Sequence, residues 1–358
     1  LLLGATTLRQ SELAAPSALL VDLMHVQPPP LLLVTASARP SFSFLSGSSV
    51  MTHYRIVVTD LAGSVGWDSG RSEAPAAAHI PCGANLTAGA SYSWTAEYWD
   101  DAGHHSPRAT GAFTVGLLGE ADWQGAEWLG GGQRQFKLAL GPRHRALLRR
   151  GGARQVAKLH VASPGGVTVE VNKKPVGDPV GLSLWADNSK SVHYMSYDLS
   201  AQLSSASEIV LFAGGGFWAS PTPGQAWGAV APAMAPAQAP AVRILLVLEG
   251  PAGPRVLLRS GGLSDDDGSR ILGRPGPVPK DDPWRGTVTD TTLPDAQGWA
   301  AAQLAPAGRL FRPSGTLFPL PSPYATRRGD FGAVSVTTVK ERPGTYLYQF
   351  PVSTCPFL

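Results

Sequence analysis

Between residues 92 and 99 the chain places Tyr92, Trp94, Ala96 and Tyr98 at every second position, with Ser93, Thr95, Glu97 and Trp99 between them. A period of two fits a β-strand with one face on a core and the other near solvent. Asp100, Asp101 and Gly103 follow with turn chemistry, and Ala112-Phe113-Thr114-Val115 supplies a return strand. A hairpin alone is marginal in water, so the pair implies a larger sheet. "SFSFL" (41–45), "HYRIVVTD" (53–60), "WDSG" (67–70) and "AAAHIPC" (76–82) provide the other strands, at turn-punctuated intervals. Residues 17–116 therefore read as a small sandwich of fibronectin type III kind.

The pattern then repeats with a different spacing. Residues 117–133 hold Trp123 and Trp128 among glycines and read as a packed connector. "RQFKLAL" (134–140), "QVAKLHVAS" (155–163), "GVTVEVNKKPVG" (166–177), "SVHYMSYDLS" (191–200), "EIVLFAGGGFW" (208–218), "VRILLVLEG" (242–250) and "RVLLRS" (255–260) are strands of similar length. They predict a jelly-roll sandwich over 134–290, with 219–240 as a long Pro/Ala loop. Residues 291–330 read as an irregular linker, 1–16 as an amino-terminal segment, and 331–358 as the start of a third β unit, truncated before it closes. The fold class is all-β.

Composition agrees with this and narrows the function. The 41 glycines and 32 prolines suit many short strands joined by tight turns. A net charge of +3, and a short basic run at 143–150 without interleaved aromatics, point to a solvated loop and exclude a nucleic-acid partner. No apolar run reaches the ~20 residues that span a bilayer, so no membrane partner is expected. Cys82 and Cys355 make no disulfide framework and read as free structural thiols. The Asn85-Leu86-Thr87 sequon matters only in a secreted protein, so the compartment stays open, the extracellular space included.

Read in order, "RPSFSF", "HYRIVVTD", "WDSG", "YSWTAEYWDDAG", "FTVGLL" and "DWQGAEWLGG" resemble the fibronectin-like opening of bacterial-type α-L-rhamnosidases, glycoside hydrolases of family 78. "AKLHVASPGGVTVEVNKKPVGD", "YMSYDLSAQL" and "LFAGGGFW" resemble the β-sandwich that follows in those enzymes, and "AVSVTTVKERPGTYLYQF" echoes a later element. Where the family continues with an acidic residue and Gly-Gln-Asn, this chain has Gln349-Phe350-Pro351-Val352. The resemblance implies a non-catalytic amino-terminal region without the helical (α/α)₆ barrel whose carboxylates act across the scissile bond. No catalytic residue is carried over. The parent reaction it implies is inverting hydrolysis of terminal α-L-rhamnose; the alternative is a free-standing carbohydrate-binding or adhesion protein.

Sugar sites combine aromatic rings with carboxylate and amide groups, often with calcium as a hard cation. Trp185-Ala186-Asp187-Asn188 has all three side-chain types, and the resemblance implies a rhamnose-containing glycan held there with Ca²⁺ on Asp187 and Asn188. The expected partner Asn is missing near Gln225-Ala226-Trp227-Gly228. In the other reading of this loop, Trp185 packs and Asp187-Asn188 cap a turn. Asp265, Asp266 and Asp267, with Asp281 and Asp282, lack the EF-hand order and read as a solvated loop, and His104-His105 as turn residues.

Overall fold

The computed structural model describes residues 13–25, 31–47, 50–74, 76–150, 155–176, 186–203, 208–216, 218, 240–262, 267–276, 280–282, 286–288, 298–307, 312–320, 334–339 and 346–349. The chain is all-β. In the first sandwich one sheet orders Met24–His25, Ser17–Val21, Ser41–Leu45 and Ile80–Pro81. The facing sheet orders Val34–Thr35, Ala109–Val115, Ser91–Asp100, Met51–Asp60 and Val65–Asp68, with Ser72–Glu73 also on Met51–Asp60. The 92–115 hairpin pairs Ala109 with Ala96 and Thr114 with Ser91, beside the Met51–Asp60 strand.

Alternation builds this core as the pattern predicts. Tyr92, Trp94, Ala96 and Tyr98 are buried with Phe42, Ile56 and Phe113, and the Trp94 and Phe42 rings lie 4.8 Å apart. The opposite face of the same strand is not bare. Glu97 is 3% exposed, and its carboxylate accepts from Arg108 Nε at 2.8 Å and meets His105 Nε2 at 2.9 Å. Burial alone would push the Glu97 carboxyl up, but these partners together hold it below the usual range. His104, at the turn, meets Asp100 at 2.9 Å.

The second sandwich also has two sheets. One orders Lys174–Pro175, Val167–Val171, Ile209–Ala213, Gln135–Ala139, Arg270–Arg274 and Ala300–Ala301; the other orders Gly253–Arg259, Arg243–Gly250, Val156–Ala162, Ser191–Asp198 and Thr316–Pro319. Phe136, Leu138, Leu159, Val161, Tyr197, Leu211, Ile244 and Leu246 fill the space between them. Two elements go beyond the pattern reading. Segment 291–330, read as a linker, contributes Ala300–Ala301 to one sheet and Thr316–Pro319 to the other, the latter parallel to Ser191–Asp198. Two- and four-residue strands are too short to leave a periodic signal, and pairing with formed sheets defines them.

The basic run is a helix, not a loop: Pro142–Arg149 puts Pro in its first turn, and His144 and Leu148, one turn apart, are both buried. Arg143 and His144 backbone N–H groups donate to Asp267, which caps the helix from across the sheet. Further along, Ser335–Thr338 and Tyr346–Gln349 form an antiparallel hairpin. Cys82 is buried and free, while Cys355 lies outside the described residues.

The outer face of the Val156–Ala162 sheet carries Lys158, His160, Ser196, Arg243 and Glu249, all buried. The first sandwich and the connector cover it. Lys158 Nζ lies 2.6 Å from Glu249 Oε2 and also donates to the Gly89 carbonyl; Glu249 Oε1 accepts from Ser91 N at 2.9 Å. Leu32 N donates to Ser196 O, and Leu117 N to Tyr194 Oη at 2.6 Å. Ionic, polar and main-chain contacts thus join the two sandwiches at one surface.

Candidate functional site

Asp187 and Asn188 stand at the turn that opens the Ser191–Asp198 strand. Asp187 Oδ1 accepts from Ser189 N at 3.1 Å and from Ser189 Oγ at 2.5 Å, and Lys190 and Ser191 N–H groups close on the Asp187 carbonyl. These bonds, led by the Ser189 hydroxyl, hold the carboxyl below its ordinary range, so it is ionised at neutral pH. Its side chain is 50% exposed, and the Lys190 ammonium sits 3.3 Å from Oδ2. That oxygen thus already has a cationic partner. Asn188 gives its backbone carbonyl to Gly315 N at 3.0 Å. Trp185 and residues 225–228 lie outside the described residues. Among the described residues, no three His, Cys, Asp or Glu side chains converge as a metal centre.

Gly315 links this turn to a cleft of about 460 Å³. The connector forms one wall, with Glu120, Glu127 and Trp128; Arg243, Arg312 and segment 313–317 form the other. The connector is fixed because its backbone continues the sheet's bonding: Glu127 N donates to Ser260 O, Leu129 N to Val242 O, and Ala305 N to Trp128 O. Trp123, in the same connector, is fully buried and edge-on to Tyr194 at 5.3 Å.

Arg243 begins its strand inside this cleft, with its guanidinium 5.1 Å from the Trp123 ring centre. Its Nη1 and Nη2 donate to the two Glu120 oxygens at 2.9 and 2.5 Å, a bidentate fork. The partners differ in exposure, 6% for the Arg243 side chain and 77% for Glu120. Arg312 is anchored through Nε on the Ala305 carbonyl. No local motif marks Arg243 and Glu120, which are 123 positions apart. The available signals were the two connector tryptophans and a lone arginine opening the apolar run "VRILLVLEG".

Two other clusters are structural. His144 Nδ1 lies 2.8 Å from Ser269 Oγ and 3.4 Å from Asp267 Oδ2. Carboxylate and hydroxyl thus share one ring nitrogen, whereas a catalytic relay needs them on opposite nitrogens. His160, 2.8 Å from Ser196 Oγ, is walled in beneath the first sandwich.

Residues 24–119 match the family model described as the Rha78A-like N-terminal immunoglobulin domain. No curated protein matches the chain. Among solved structures, the α-L-rhamnosidase of Dictyoglumus thermophilum is similar over 95% of this chain and 39% of its own, at 19% identity and a TM-score of 0.66. The Aspergillus terreus α-L-rhamnosidase covers 91% of this chain and 37% of its own (16% identity, TM-score 0.68). The Streptomyces avermitilis α-L-rhamnosidase, solved with L-rhamnose, covers 93% and 48% (15% identity, TM-score 0.67). The likeness to the amino-terminal β-sandwich region of α-L-rhamnosidases, read first from motifs, thus recurs in a domain match and in three folds. At these identities the structures share the fold, and the chain spans less than half the length of each.

Proposed function

We propose that this chain is the non-catalytic amino-terminal portion of an α-L-rhamnosidase-like glycoside hydrolase, with a carbohydrate-associated role. The observation that carries the reading is the continuous likeness of both sandwiches, over 91–95% of this chain, to enzymes of that activity. The parent reaction in this reading is inverting hydrolysis of terminal α-L-rhamnose, with a general acid and a base on opposite sides of the sugar. Glu120, a carboxylate of the described cleft, has both oxygens on Arg243, which leaves it poorly placed for either role. Purified chain is expected not to cleave an aryl α-L-rhamnoside above background, and turnover that survives purification overturns the domain assignment.

Within this reading the loop 185–188 is the sugar contact. Trp185 supplies an apolar face, and Asp187 with Asn188 would hold Ca²⁺, where the cation takes the place of the Lys190 ammonium. Calcium supplies a hard cation to sugar hydroxyls. Calorimetry with L-rhamnose, with and without a chelator, tests this on the wild type and Asp187→Ala. Weak, chelator-sensitive binding that the substitution abolishes is expected, in the millimolar to high micromolar range for one small sugar. Binding that is indifferent to Asp187→Ala places the contact elsewhere. Chelator-insensitive saccharide binding by a chain without turnover favours the second reading, a free-standing carbohydrate-binding or adhesion protein.

A further inference from the structure

We infer that the cleft between the connector and the second sandwich is a binding site for the carboxylate of an acidic saccharide, with Arg243 as its fork and Arg312 as a second positive group. The inference goes beyond the rhamnose reading and uses none of residues 185–188. Arg243 is built like a receptor: its side chain is nearly buried, it stands on an interior sheet strand, and its guanidinium lies over the Trp123 ring. A planar guanidinium held this way matches a carboxylate in two parallel hydrogen bonds.

Glu120 shows which group the fork accepts. It pairs through both oxygens, yet comes from a four-residue 3₁₀ turn at the surface and is itself mostly exposed. Glu120 is mostly exposed and regains its hydration when released, while the incoming uronate takes its place on Arg243, so the buried guanidinium is not left unpaired. The Arg243 Nε–H is buried and has no partner among the described residues, so the guanidinium is under-satisfied as it stands. The volume of about 460 Å³ lies in the range of small-ligand sites. Ser314 and Thr316 offer hydroxyls to a sugar ring, and Trp128 an apolar edge. Glu127, also in the wall, opposes a second negative charge, so a monoanionic carboxylate is favoured over a phosphate or bis-sulfate.

The test compares methyl β-D-glucuronide with methyl β-D-glucoside, which differ only by a carboxylate in place of the hydroxymethyl group. By titration calorimetry at low salt, the glucuronide is expected to bind in the millimolar range, at least roughly tenfold tighter than the glucoside. Arg312→Gln should weaken it about tenfold, and Glu120→Gln should tighten it severalfold, because the competing charge is gone while an amide oxygen still faces Arg243. Asp187→Ala should leave it unchanged, which separates this site from the rhamnose loop. Thermal melts confirm that each variant is folded. Equal affinity for the two glycosides, no binding of either, or glucuronide binding indifferent to both Arg312→Gln and Glu120→Gln overturns the inference.

Discussion

Acidification should destabilise this protein in part through His160. Its ring is buried on the outer face of the Val156–Ala162 strand, 2.8 Å from Ser196 Oγ and 6.2 Å from the Tyr194 ring. Burial, assisted by the charge of Lys158 two residues away, pushes its pKa from 6.5 down to about 3. The folded value is depressed, so the unfolded chain takes up the proton first. The stability His160 confers as a neutral group is complete above 6.5 and is lost as pH falls from there toward 3. Between about pH 7.5 and pH 5.5 the unfolded imidazole's proton uptake shifts the equilibrium about tenfold, or about 1.4 kcal/mol. The figure requires only that the folded value lie well below 5.5. Denaturant unfolding at the two pH values, at fixed salt, measures the loss. His160→Gln removes the titrating group, so whatever its absolute stability, its pH dependence should be flatter by about that amount. His193, also lowered by burial, is common to both proteins and cancels in the difference. Identical pH dependence in wild type and variant would refute the reasoning.

Two further outcomes concern packing. Trp94→Ala, at the centre of the first core, should cost about 3–5 kcal/mol, as large buried aromatics do; a loss under about 1 kcal/mol in equilibrium unfolding would mean the Phe42–Trp94 contact is not central. Lys158→Met and Glu249→Gln should each cost about 3–5 kcal/mol, because each leaves the other member of the buried pair without its counter-charge. A cost under about 1 kcal/mol for either would contradict the view that the junction is held by a desolvated charge pair.

The sequence pattern carried the fold well where each strand had its own periodicity. Tyr92, Trp94, Ala96 and Tyr98 announced a core face, and that face is buried. In the strand "QVAKLHVAS", Lys158 and His160 lie on the face opposite Leu159 and Val161, yet that face is also buried, with Lys158 fully enclosed. A period of two assigns residues to faces; it does not say what covers each face. The cover is the first sandwich and the connector, contributed by residues about 70 positions earlier, and single-strand patterning has no access to that distance. The helix Pro142–Arg149 escaped for a related reason, since its cap, Asp267, lies more than 120 positions away.

The same distance separates the two candidate sites. The loop 185–188 could be read because its residue types sit in four consecutive positions. The cleft could not, because its chemistry is assembled from a surface turn at Glu120, a strand start at Arg243 and a late segment at 312–317. Arg243 stands out only as a lone arginine before an apolar run, and Glu120 not at all, so neither points to the other. Together they form a fork over the Trp123 ring paired with an exposed partner, and the closure of the connector onto the sheet creates that arrangement. It follows that the second sandwich alone, without residues 117–133, would keep its Phe136–Leu246 core but expose Arg243, Tyr194 and Val247 to water. The cleft is therefore a property of the joined unit, since the connector that completes the outer face also supplies one wall of the site.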